Sequence, residues 1–295
     1  MPRSSTGFVL AGCAALLFAT KGLFVKVLSA RGVDYLTMTM VRALLALPMY
    51  AGLALWRGFN LRLAPRGAVA LAALAGAMGY GIGSLVDFRA LELIDVSVER
   101  ALLFTYPALI VAWQAFSRRR LPRPAVLLAL TATYAGILLV VGGFNATLWK
   151  QNLPGALLVL ACAACMACYF LLGERTIASL GSSGFAIIAL SSAAGFVLTV
   201  FAIARPIAAV TALTAHDWLL LGALAVMGMF LPTIFQAGAI SRIGAERGAL
   251  ASTIGPPAAL LLGVLMLGEK PDVWQLLGTA LILTGIVLIA RQKPD

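Results

Sequence analysis

Residues 106–136 read YPALIVAWQAFSRRRLPRPAVLLALTATYAG, and three of them, Pro107, Pro122 and Gly136, recur 149 positions later as Pro256, Pro271 and Gly285. Working outward at this spacing, Ala90 pairs with Ala239, Ile94 with Ile243, Leu127 and Leu128 with Leu276 and Leu277, and Ile137 with Ile286. In a chain that is 62% hydrophobic, apolar coincidences are common, but two prolines and a glycine in one register are not. The chain therefore reads as one five-helix unit written twice, with domains at residues 1–147 and 148–295.

Composition sets the solvent. With 295 residues, 11% charged side chains and a mean hydropathy of +1.00, the apolar segments exceed what one soluble core buries. Ten apolar stretches are read, at 6–28, 35–56, 67–91, 97–117, 124–143, 154–173, 183–204, 217–240, 247–267 and 273–290. Each has the length that a helix needs to cross a hydrocarbon core of about 30 Å. Helices are required there, because backbone groups in lipid must bond within their own segment. Loops are short, the longest falling at 57–66, 144–153 and 205–216, and leave no room for a catalytic module. The first stretch is kept as a helix rather than a cleaved signal, since Lys21 and Lys26 interrupt its end and no small-residue cleavage site follows.

The net charge of +11 does not point to nucleic acid, because the basic residues are scattered among apolar segments without an aromatic platform. They give topology instead. With the N-terminus in the cytoplasm, the inner segments carry Arg3, Arg57, Arg62, Arg66, Arg118, Arg119, Arg120, Arg123, Arg175, Arg242, Arg247, Arg291 and Lys293. The outer ones carry Lys26, Arg31, Arg100, Lys150, Arg205 and Lys270, so both termini are expected inside. Five spans per half then insert the second half upside down. The expected fold is all-α and polytopic, ten transmembrane helices arranged as two inverted five-helix repeats around a central cavity. Duplication of this kind in a membrane chain is a signature of transporters.

The run Ala239-Ile240-Ser241-Arg242-Ile243-Gly244-Ala245, followed by Pro256-Pro257, Leu267-Gly268-Glu269-Lys270-Pro271 and Leu277 to Gly285, resembles the last three helices of an EamA domain of the drug/metabolite transporter superfamily. The first half resembles the same unit through Arg42, Ala90-Leu91-Glu92-Leu93-Ile94, Tyr106-Pro107 and Gly136, and departs from it where Arg120 stands opposite Glu269. The resemblance implies a cavity lined by the first, third, fourth, sixth, eighth and ninth helices, with the fifth and tenth peripheral. It implies export of amino acids or similar small metabolites across a bacterial cytoplasmic membrane, by a chain expected to act as a monomer without cofactor or metal.

Several residues are candidates for the pathway. Tyr80, Ser84 and Asp87 share one helix face, and the repeat places Met229, Thr233 and Gln236 on the equivalent face. That face either lines the pathway, or packs with its hydroxyls bonded to their own helix. Asp87, read as the only acidic residue well inside a span, either binds a substrate ammonium or proton, or forms an interfacial pair with Arg89. Lys21 either meets a substrate carboxylate, pairs with Asp87, or snorkels to the headgroups. Phe18 lies beside it, and an offset near 148 matches Phe18 and Lys21 with Met166 and Tyr169. Tyr106 and Tyr169 are candidates to enclose an apolar side chain, and the Trp113 indole to donate to a carboxylate. Arg42 is assigned a structural or gating role, its donors suiting helix-end carbonyls or a carboxylate such as Asp34. Pro107, Pro256 and Pro232 each remove a backbone bond inside a span, where the helix can bend. Cys162, Cys165 and Cys168 follow one continuous helix and read as small-residue packing. No nucleophile, base and orienting group are spaced for catalysis.

Overall fold

The computed structural model describes residues 3–117, 124–141, 143 and 145–290. Pro122, the Arg118-Arg119-Arg120 run, Arg123, Arg291 and Lys293 lie outside the described residues. All regular structure among those described is helical. In chain order the helices are α1 (Arg3–Ala30), α2 (Tyr35–Trp56), α3 (Arg66–Gly76), α4 (Gly83–Leu93), α5 (Val96–Leu103), α6 (Tyr106–Ser117), α7 (Pro124–Val141), α8 (Ala146–Ala204), α9 (Ala208–Thr211), α10 (Ala215–Ala225), α11 (Leu231–Ala251), α12 (Gly255–Leu267) and α13 (Val273–Ala290). Among the described residues, six continuous helical spans, some joining two of these helices, are long and apolar enough to cross a membrane, and three shorter apolar helices accompany them. Apolar side chains such as Leu138, Leu157 and Leu265 point outward while Lys21, Arg42, Asp87, Glu99 and Arg100 are buried. That distribution suits a lipid surround, in which polar groups must find partners inside the bundle.

Local chemistry explains the boundaries. Asp34 accepts from the Leu36 and Thr37 amides to start α2, and Thr214 and Asp217 form a reciprocal cap on α10. Asn145 accepts from Thr147 and Leu148, so α8 begins at Ala146. Most of the 144–153 segment expected as a loop is therefore helix. The 59 residues of α8 are interrupted only at Gly181 (φ 69°), and α11 is interrupted at Gly244 (φ 81°). Both carry a positive φ that a residue with a Cβ adopts at a cost.

The repeat extends to backbone irregularities. A π-helical segment, Ala77–Ile82, joins α3 to α4, and another, Val226–Phe230, joins α10 to α11; their first residues, 77 and 226, are 149 apart. Helical pairing lapses at Phe104 and Thr105 just before Tyr106-Pro107, and tightens into a 3-10 turn at Ser252–Ile254 just before Gly255-Pro256. Both interruptions fall within the turn that precedes each proline, where proline removes a donor and crowds the carbonyl four residues back. Pro232 stands two residues past the end of the second π segment, and α11 runs on past it.

The halves interlock. α1 packs along α11 and α12, the second part of α8 against α2 and α3, and α13 along α7. In that last seam a Cβ on Gly136 would stand 2.7 Å from the Gly278 carbonyl oxygen, and one on Gly278 2.6 Å from that of Gly136. At one end of the bundle polar contacts tie the halves together. Arg31 pairs with Asp217 at 2.5 Å, Arg205 with Asp34 at 3.5 Å, and the Glu269 carboxylate accepts from the Val96 and Ser97 amides at 2.7 and 3.2 Å. The N-terminus of α11's second part receives a related cap, Glu174 accepting from the Ala245 amide at 3.2 Å.

Candidate functional site

A cavity of about 60 Å³ lies between the halves, bounded by α1, α2, the two π segments with α4 and α11 that follow them, α5 and α6, α8 and the turn at Ser252. It is far smaller than the ~300 Å³ at which sites for drug-sized ligands begin, and has room for a few waters or one small ion. Its wall joins the two proline-associated interruptions, since a Cβ on Gly255 would stand 2.9 Å from the Phe104 ring.

A chain of charge runs along the first-repeat side. The Lys21 ammonium contacts the Asp87 carboxylate and reaches Glu99 Oε1 at 3.3 Å. The other Glu99 oxygen lies 3.7 Å from Arg100 Nε, and Arg100 Nη2 donates to the Phe18 carbonyl at 2.6 Å. All four side chains are at most 7% exposed. Each ion has an opposite charge beside it, the condition under which burial of charge is tolerable. Arg42 differs. Its guanidinium sits over the Phe88 ring, 4.5 Å from the centroid, and its Nε and Nη2 atoms make no hydrogen bond.

The second-repeat side is neutral. Tyr80 crosses from the first repeat to donate to Gln236 Oε1 at 2.7 Å. Tyr50 and Thr233 share a 2.8 Å hydrogen bond, and Thr233 also donates to the Met229 carbonyl of its own helix at 2.7 Å. Tyr169 stands edge-on to Tyr80 at 5.0 Å.

Of the residues singled out from the sequence, Phe18, Lys21, Tyr80, Ser84, Asp87, Tyr106 and Gln236 line the cavity. Tyr169, Met229 and Thr233 are buried one layer behind it. Trp113 is half-exposed against Phe116 and does not reach the cavity, so its indole is no donor there. Asp87 does not pair with Arg89, which bonds Glu92 at 2.5 Å instead, and Lys21 points inward rather than snorkelling. Asp34 caps α2 and pairs with Arg205, while Arg42 lines the cavity.

Two residues escaped the sequence reading. Glu99 and Arg100 stand at the start of an apolar stretch, where a polar residue is expected at the headgroups, and Arg100 was assigned to the outer surface. Both are buried, because Glu269 caps α5 and draws its N-terminus into the bundle. The repeat gave no signal for this: the counterparts 149 residues on, Gly248 and Ala249, also stand at the start of an apolar stretch, just after Glu246 and Arg247.

The EamA-like transporter family matches residues 5–142 and, a second time, residues 153–291. The chain belongs to the EamA-like transporter family. Its two EamA regions fall in the two structural repeats, in agreement with a multi-pass membrane protein of the drug/metabolite transporter superfamily. This EamA chain is 28% identical over 284 residues to the "Uncharacterized transporter YcbK" of Bacillus subtilis (strain 168), spanning 93% of this chain and 89% of that protein. A solved crystal structure with 20% identity covers 97% of the chain and is itself covered to 96%, with a TM-score of 0.70, so the EamA fold is shared with it. Family and relative point to transport rather than catalysis.

Proposed function

We propose that the chain is a secondary transporter of ten transmembrane helices in inverted halves, which exports small metabolites, amino acids foremost, from the bacterial cytoplasm by alternating access. Both termini face the cytoplasm, and the monomer is the working unit. Removing Arg100 from the outer set, since it is buried, strengthens the excess of positive charge on the inner side. The observation that carries the reading is the enclosed cavity, in which a charged wall from one repeat faces a neutral polar wall from the other. Such a site distinguishes the two ends of an amphipathic solute. The paired π segments and proline-associated interruptions beside it supply places where each half can bend. Closure at one end rests on contacts between the halves, so parting them would open the cavity on that side.

The balance of charge favours this reading over a cationic-drug exporter, because Lys21 and Arg100 occupy the two carboxylates. The test is counterflow in proteoliposomes with a panel of labelled amino acids and small carboxylates. At least one is expected to exchange, and changing Tyr80, Gln236 and Lys21 together is expected to abolish that exchange while folded protein remains. Full exchange by the triple variant would remove the site, and no exchange of any member would remove the cargo class. If Asp87→Asn leaves the pH dependence of exchange unaltered, proton coupling through Asp87 is discarded.

A further inference from the structure

The buried charges around the cavity do not balance. Among the described residues three are cations, Lys21, Arg42 and Arg100, and two are carboxylates, Asp87 and Glu99. Lys21 bridges both carboxylates, and Arg100 is held by Glu99 and the Phe18 carbonyl. Arg42 is the remaining charge. It is 2% exposed, and two of its three nitrogens make no hydrogen bond. Asp87 is close enough to attract it but forms no salt bridge with it, and a buried cation without a direct carboxylate contact is costly, as are unsatisfied donors on it. The Phe88 face supports the guanidinium plane but satisfies none of the N–H groups, which lie at its edge.

We infer that Arg42 is the receptor for a carboxylate, and that the cavity takes a small solute with one negative charge in excess. The planar fork of a guanidinium matches the two oxygens of a carboxylate, and occupation would supply both the missing charge and the missing acceptors. Asp87 Oδ1, also buried without a hydrogen bond, offers an acceptor in the same cavity for a donor on that solute. A small hydroxy acid has both features; an amino acid with an acidic side chain has them too, but needs the cavity to widen as the halves part. Of the other cationic and phenolic donors, Lys21 is engaged by its two carboxylates, the Tyr80 hydroxyl by Gln236, and Arg100 by Glu99 and the Phe18 carbonyl, although its Nε makes no hydrogen bond. That the solute is cargo rests on the proposed transport function; that Arg42 binds a carboxylate does not.

Acetate fits a cavity of about 60 Å³, and acetamide has nearly the same shape without the charge. Thermal unfolding of the purified full chain is measured against sodium acetate and against acetamide, with sodium chloride matching ionic strength. Acetate is expected to raise Tm saturably and acetamide not. Arg42→Gln is expected to weaken the apparent acetate affinity roughly 10-fold to 100-fold, and Arg42→Lys, which keeps the charge but loses the fork, by less. Equal shifts from acetate and acetamide, no shift from either, or an unchanged affinity in Arg42→Gln would overturn the assignment. The wild-type comparison decides even if the variants do not fold. Acetate stabilisation without counterflow of any solute would remove the cargo reading and leave the anion site. Counterflow without acetate stabilisation would do the reverse.

Discussion

In the first repeat the side chains at the cavity carry charge: Lys21, Arg42, Asp87 and Arg100, with Glu99 behind them. The second repeat presents Cys162, Met166, Gln236 and Ser252. The backbone beneath is matched down to its irregular turns, and Asp87 and Gln236 occupy equivalent positions, 149 residues apart. The repeats thus agree in their backbone irregularities and differ in the side chains they bring to the cavity. A solute held by charge on one side and by neutral hydrogen bonds on the other has a defined orientation, which two identical walls could not impose.

The most severe test of this contrast is Lys21→Met. It leaves Asp87 and Glu99 sharing a buried site without their common cation, and is expected to destabilise the protein by about 3–5 kcal/mol in reversible unfolding measured in detergent. Gln236→Leu, on the neutral wall, is expected to cost about 1–3 kcal/mol, since it leaves only the Tyr80 hydroxyl without its acceptor. Equal losses would break the comparison between the walls.

A second contrast lies at the helix ends. Glu269→Ala removes the acceptor of two α5 amides and is expected to cost about 0.5–2 kcal/mol, whereas Glu174→Ala, which frees one amide, should cost less. Tyr50→Phe comes next, at about 1 kcal/mol, because Thr233 retains its bond to the Met229 carbonyl. The smallest effect is expected from Arg31→Gln. This arginine is 38% exposed, so the difference in Tm from wild type should shrink as salt is raised.

Much of the architecture was legible because it rests on residues with few conformational options. Pro107 and Pro256 mark the interrupted helices, and the apolar stretches fall on helical backbone. The π segments were not legible, since Ala77–Ile82 and Val226–Phe230 differ from ordinary helix by a shift in pairing that no side chain announces. Seven proposed site residues line the cavity because a helix face is fixed by spacing. The burial of Glu99 and Arg100 was not legible for a different reason. Which way a long charged side chain turns depends on partners distant in sequence: Lys21 lies 78 residues from Glu99, and Glu269 lies 173 residues from the Val96 amide it caps.

The seam between Gly136 and Gly278 has a bearing on biogenesis. Val141 ends α7 and Val273 begins α13, so roughly 130 residues must be made after α7 enters the bilayer before its partner exists. At about 5–20 residues per second that interval is on the order of ten seconds. During it, the backbone surface at Gly136 has no α13 to cover it and must face lipid or another neighbour.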